Sequence, residues 1–445
     1  MTTIYSARWV LPVSSAPIEH GAVVVDGQLI AAVGDAAEIA LRFPDARVES
    51  FGQSVIIPGF INTHTHLELT ALRGYLENEE HDFFAWLRKL TLARLERMTA
   101  DDIRVSATWG ACEAVRAGIT CVGDASDSAM MSVRALQDVG LRGVVFQESF
   151  GPDPRLVEEN FAKLQAKVAE LREIENELVR VGVSPHAPYT VCRPQLELIA
   201  EFASSEGLPL MMHAAESAAE DLFVRTGTGI FAEGLAKRGI EWTAPGISTV
   251  QYLKGVGILD CQPLLAHCIR VDDADIETLK ETDSKVAHCP KSNAKLGHGR
   301  APLAKFVEAG VTVGMGSDSV ASNNTCDLIE EARFALLSAS KNPLLTASRM
   351  LAAATTGGAH CLGLEKKGIG VLAEGAQADL VVVGLDGTHQ LPVYDPATAL
   401  IFSSSGRDVL LTVIAGREVY RDRRVLTVDE DRLRARVSEI ALKLD

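Results

Sequence analysis

Residues 54–68 read SVIIPGFINTHTHLE: an apolar run over 55–61, broken by Pro58 and Gly59, then two histidines two positions apart. A short apolar run of this kind reads as a buried strand. Side chains alternate along a strand, so His64 and His66 point the same way at its end. Two neutral imidazoles fixed on a rigid strand are half of a metal site, because little entropy is lost on binding. H-x-H alone is short enough to be a polar turn. The remaining ligands must therefore come from elsewhere in the chain.

Seven further strand candidates follow, at 119–124, 141–149, 178–186, 208–216, 263–271, 285–293 and 310–319, with helical stretches such as 101–117, 156–176, 194–205 and 272–281 between them. Eight β-α alternations predict a closed parallel barrel. An open doubly wound sheet is disfavoured, since no Gly-rich phosphate loop follows any of these strands. Residues 1–53 alternate β-like runs with turns, Asp26-Gly27 marking a hairpin, and residues 367–445 repeat the pattern before an amphipathic helix at 429–444. The expected organisation is a barrel over 58–366, flanked by a small composite β-sandwich built from 1–57 and 367–445. Residues 220–257 are too long for a simple connection and predict a helical excursion near the barrel mouth.

Chemistry in such a barrel gathers at the carboxyl ends of the strands. Six of the eleven histidines fall there: His64, His66, His186, His213, His267 and His288. His64, His66, His213 and Asp318 supply the nitrogen and carboxylate set of a catalytic zinc with one position left for water. A bound metal lowers the pKa of water from about 15.7 to near 7, worth about 12 kcal/mol. Glu216, three residues after His213, is placed to move a proton from water to the substrate. His267 is expected to orient that water, and Asp318 to accept its proton as well as touch the metal. The fourth strand carries no lysine or acid to bridge a second ion, which predicts one metal and leaves His186 for substrate.

The 445 residues carry a net charge of −16, which disfavours a phosphate-tracking groove. Eight scattered cysteines, without C-x-x-C pairs, read as free thiols of a reducing compartment. Cys268 and Cys289, beside site histidines, are expected to be core fillers. No signal-peptide pattern opens the chain and no apolar run reaches membrane-span length. The expectation is a cytoplasmic enzyme with a small-molecule substrate and no nucleic-acid or membrane partner.

The stretches PGFINTHTH (58–66), SPHAPY (184–189), HAAE (213–216), AHC (266–268), HCPKSN (288–293) and GSD (316–318) resemble the amidohydrolase superfamily, in its cytosine-deaminase-like and chlorohydrolase-like branch. The resemblance implies a distorted (β/α)8 barrel, one zinc or iron ion, a homo-oligomer, and hydrolytic loss of ammonia from an N-heterocycle. Within the branch the chain is most similar to deaminases of adenosine derivatives: S-adenosylhomocysteine, methylthioadenosine and aminodeoxyfutalosine. On that likeness Arg155, in RLVEEN (155–160), is expected to reach the substrate tail, and Glu68, in HTHLE (64–68), to contact substrate. Gln147 stands where an arginine of the adenosylhomocysteine group is expected, which weakens the case for a carboxylate-bearing tail. A 6-aminopurine suits the residues: attack at C6 needs a proton at N1, which Glu216 supplies. His186 and Asn293 are expected to hydrogen-bond the remaining edges, and Trp86 and Tyr189 to wall the ring. The alternatives are an s-triazine-type chlorohydrolase or a guanine, pterin or cytosine deaminase on the same metal site. The unrelated zinc deaminases with P-C-x-x-C ligands are excluded, because that motif is absent.

Overall fold

The computed structural model describes residues 2–339 and 342–444. Eight parallel strands form the barrel: β1 (Phe60–Thr65), β2 (Ile119–Ser126), β3 (Arg142–Ser149), β4 (Val179–Pro185), β5 (Met211–Ala214), β6 (Leu264–His267), β7 (Lys285–His288) and β8 (Val313–Met315). Each falls within or beside its expected segment. Alternate residues face the two layers of the core. Ile61, Cys121, Val144, Phe146, Met211 and Ala266 fill one cluster. Phe60, Val122, Val145, Val181, Met212 and Leu265 pack in another, with the helices.

The barrel is distorted. Strands β1 to β4 pair as one four-stranded sheet and β5 to β8 as another. Single parallel bridges join the two halves, Val183 with Leu210 and Thr65 with Asp318. Near the mouth those seams carry two backbone bonds, His213 N–H to the His186 carbonyl at 3.0 Å and Asp318 N–H to the His64 carbonyl at 2.9 Å.

The stretch expected as one strand over 54–66 is two. Ser54–Pro58 pairs antiparallel with Leu380–Gly384 in the composite sheet, whereas Phe60 N–H bonds the Gly118 carbonyl of the barrel. The chain changes partners at Gly59, where a β-carbon would overlap the Thr120 side chain. Both chain ends do join in one nine-stranded sheet. In it Ser54–Pro58 lies between Leu380–Gly384 and Thr3–Val10, with Val409–Ile414 and Ile18–Asp26 beyond them. Its strands are apolar on both faces: Ile56, Leu380 and Val382 pack in one layer, and Val55, Ile57, Val381 and Val383 pack on the barrel.

The terminal helix, Glu430–Leu444, follows the returning strands in sequence but packs on the barrel. Its Ile440 and Leu444 join Leu72, Trp86 and Ile103 in a cluster. Lys443 and Arg436 pair with Asp102 and Asp101 at 2.9 and 2.7 Å. The 220–257 excursion is largely helical, as expected: it carries Ala218–Thr226, Ile230–Lys237 and Thr249–Gly255, with 238–248 irregular between the last two. Among the described residues no helix is long and apolar enough to cross a membrane.

Candidate active site

His64 and His66 from β1, His213 from β5 and Asp318 after β8 converge. The Nε2 atoms of His66 and His213 lie 3.1 Å apart. Those of His64 and His66 lie 3.4 and 3.6 Å from Asp318 Oδ1. His213 Nδ1 lies 2.9 Å from the His186 carbonyl and donates to it, which leaves Nε2 as a lone pair. His64 Nε2 is buried with no hydrogen-bond partner among the described residues. Asp318 Oδ2 accepts from Ser292 and Ser322 at 2.5 and 2.9 Å, which reserves Oδ1 for the cluster.

Burial lowers His64 to about 4 and His66 and His213 in the same direction, so their imidazoles are neutral near pH 7. Burial pushes Asp318 up, yet the surrounding histidines, His64 above all, hold it well below the usual carboxylate range. Neutral imidazoles and one carboxylate, packed with their lone pairs facing, fit a divalent cation. Ligating atoms of His64, His66 and His213, and of His64, His267 and Asp318, form triads within 4.8 Å.

The backbone at these strand ends is unusual. Ala215, His267 and Asp318 have φ of 52°, 73° and 57°, a region side chains disfavour. Glu220 fixes the first of these turns: its carboxylate accepts from the N–H groups of Ala215 and Glu216 at 2.8 and 2.9 Å, and from Thr249 at 3.1 Å. Glu216 is thereby presented with Oε1 3.7 Å from His267 Nε2 and 3.5 Å from His298 Nε2. Burial raises the Glu216 carboxyl. Burial opposes charge on His267, but Glu216 and Asp318 raise it.

A cavity of about 700 Å³ opens over this cluster, a size that suits a small organic ligand. His66, His213, Glu216, His267 and Asp318 form its floor, and Glu68, Trp86, His186 and Tyr189 its walls. Two expected substrate contacts lie elsewhere. Asn293 stands behind His267, with Oδ1 2.8 Å from its Nδ1. Arg155 is outside the cavity lining: its side chain is 68% exposed and folded onto Asp153 at 2.7 Å. Gln147 also faces away, donating to the carbonyls of Asp127 and Glu148 at 2.9 Å each. Cys268 and Cys289 are fully buried, and burial pushes both thiols up, as expected of core fillers.

Several lining groups were not singled out from the sequence. Glu148 is the penultimate residue of β3, a position where a carboxylate was a readable signal. His298 sits after the strand-seven turn, where nothing in the spacing marks it. Phe83, Phe84 and Leu87 on the Phe83–Leu92 helix, and Phe231 and Leu235 on the Ile230–Lys237 helix, form apolar walls. In sequence they look like ordinary helix packing. Tyr189 stacks on Phe231 with centroids 3.9 Å apart, which ties the excursion to the β4 loop.

Known proteins share this architecture. A profile described as Amidohydrolase family matches residues 55–419, and one described as Imidazolonepropionase-like composite domain, bacteria, matches residues 21–46. A 5-methylthioadenosine/S-adenosylhomocysteine deaminase of Syntrophobacter fumaroxidans is 34% identical, over 95% of this chain and 93% of its own. One of Pelotomaculum thermopropionicum is 32% identical, over 95% and 94%. The crystal structure of an adenosine deaminase from Xanthomonas campestris with bound zinc superposes with a TM-score of 0.87 at 27% identity, covering 99% of this chain and 98% of that one. The histidine and aspartate cluster is thus a divalent-metal site in a hydrolase of carbon–nitrogen bonds. With a match running from the strand before the His-Thr-His turn to the returning sheet, and relatives alike over nearly their whole length, the chain belongs to the amidohydrolase family.

Proposed function

We propose that the protein deaminates a 6-aminopurine nucleoside: water adds at C6, ammonia leaves, and a 6-oxopurine remains. The observation that carries this is Glu216, held by Glu220 at the cavity floor beside His267 and the metal cluster. The curated relatives' names support an adenosine derivative as substrate. His64, His66, His213 and Asp318 would hold one metal, and the zinc bound in the similar adenosine deaminase structure supports zinc as that metal. A divalent metal there supplies Lewis acidity that makes water ionisable near neutral pH. Glu216 takes a proton from the attacking water and delivers it to N1, so that the ring can accept the new bond. His267, its Nδ1 engaged by Asn293, presents Nε2 to orient that water. Trp86 and Tyr189 wall the ring, and His186 contacts the nucleoside.

The test is ammonia release by zinc-loaded protein from adenosine, methylthioadenosine, adenosylhomocysteine, aminodeoxyfutalosine, guanine, cytosine and a chloro-s-triazine, with the purine ultraviolet shift followed in parallel. Turnover confined to 6-aminopurine nucleosides is expected. Glu216→Gln should keep one zinc per chain and lose about 10³-fold in kcat. Chloride release from the triazine with silent purines would overturn the substrate assignment, and near-normal turnover by Glu216→Gln would overturn the proton route.

A further inference from the structure

One carboxylate in the cavity has no work in this scheme. Glu148 is 7% exposed, lines the cavity beside His186 and His213, and its buried Oε1 finds no hydrogen-bond partner among the described residues. Its acidic neighbours differ. Glu68 accepts from Ser126 Oγ at 2.8 Å, from the Ser128 N–H at 3.0 Å and from Arg94 at 3.3 Å. Asp127 takes Arg94 Nη2 at 2.7 Å and Lys167 at 3.1 Å. Arg94 is thus committed to two other acids. A buried acceptor left without a donor is costly, so the donor is expected from the ligand.

A second metal ion does not answer the need. Ligating atoms of Glu148, His186 and His213 do lie within 4.8 Å of one another. But His213 Nδ1 donates to the His186 carbonyl, and its Nε2 lone pair already faces the first metal cluster, 3.1 Å from His66. His186 is engaged at Nδ1 by Thr190 at 2.9 Å, so it brings its other nitrogen, as Glu148 brings a carboxyl. A carboxyl beside a single imidazole nitrogen matches adjacent hydroxyl donors better than a cation.

We propose that Glu148, with His186, forms a hydroxyl-binding subsite that holds the vicinal diol of the substrate's furanose and selects ribonucleosides over deoxyribonucleosides. This rests on the nucleoside reading above and specifies which part of the nucleoside is read, and by what. A site built to bond a hydroxyl rejects the analogue lacking it far more strongly than an apolar pocket rejects a missing methylene.

The experiment compares kcat/KM of the zinc-loaded full-length protein, wild type, Glu148→Ala and Glu148→Gln, on 5′-methylthioadenosine and its 2′-deoxy and 3′-deoxy counterparts, with zinc content measured for each. Wild type should lose about 10²-fold or more when a hydroxyl is removed. In Glu148→Ala the ribonucleoside should fall most and the deoxy substrates less, so that the discrimination shrinks about tenfold or more, and Glu148→Gln should fall between. Equal treatment of the three substrates by wild type overturns the proposal, as does undiminished discrimination in Glu148→Ala. A second zinc equivalent that is lost in Glu148→Ala assigns the site to a cation and also overturns it. If no 6-aminopurine releases ammonia, the deamination reading fails, and the subsite is judged on binding. Calorimetric titration should then find inosine bound at least tenfold more tightly than 2′,3′-dideoxyinosine, and equal affinities sink it.

Discussion

His267 turns Nε2 toward Glu216 because its other ring nitrogen is held 2.8 Å from Asn293 Oδ1. Asn293 does not line the cavity, so its effect on chemistry passes through the imidazole. Asn293→Ala releases the ring and frees its tautomer. We expect kcat to fall about 10- to 100-fold with KM little changed and zinc retained, the scale typical of a group that orients an active-site imidazole. Asn293→Asp keeps an acceptor and should recover much of the loss. A change in KM alone would place Asn293 on the substrate instead. Residues of this kind mark the limit of reading a site from sequence. His64, His66, His213, Glu216, His267 and Asp318 were legible because strand ends in a parallel barrel meet at one face. Asn293 was legible as a site residue but not in its contact, since a side chain behind another cannot be told from one beside it. Arg155 lies outside the cavity lining for a local reason: Asp153, two residues away, pairs with it at the surface.

At the scale of elements, the excursion after β5 does two jobs. Its first helix, Ala218–Thr226, carries Glu220, and its second, Ile230–Lys237, sets Phe231 and Leu235 into the cavity wall. Length alone pointed to such an excursion near the mouth. Which face it turns inward was not legible, because Phe231 and Leu235 have the spacing of any buried helix stripe. Glu220 explains why the excursion starts where it does: its carboxylate satisfies the two N–H groups that the left-handed turn at Ala215 leaves open. Glu220→Ala buries those donors unpaired, which costs about 2 kcal/mol. The expected result is a lower urea midpoint together with a drop in kcat at unchanged zinc content, since Glu216 loses its support and His213 does not. If stability falls while kcat holds, Glu216 is positioned by something else.

At the scale of the molecule, the two half-barrels meet across sparse seams. The composite sheet braces the other end: Arg142 of β3 pairs with Asp379 at 2.7 Å, both buried, and Asp379 also accepts from the Ala415 N–H at 2.7 Å. Near the mouth the backbone bonds across the seams are Asp318 to His64 and His213 to His186, and on the β1–β8 side Asn62 adds a pair of bonds with Ser317 at 2.7 and 2.9 Å. The proposed ligands are divided across that boundary, His64 and His66 in the first half, His213 and Asp318 in the second. A metal held by all four would staple the halves together where the strand ladder is reduced to single bridges. Chelation should therefore lower the thermal midpoint, and zinc should restore it. The stabilisation should grow with free zinc, to about 4 kcal/mol at a thousand times Kd. Amide hydrogen exchange locates the effect: on metal removal the N–H groups of His213 and Asp318 should speed up well before those inside β2, β3 and β7, whose strands are paired on both sides. Uniform acceleration along all eight strands would mean that the metal stabilises the barrel globally and not as a staple at the seams.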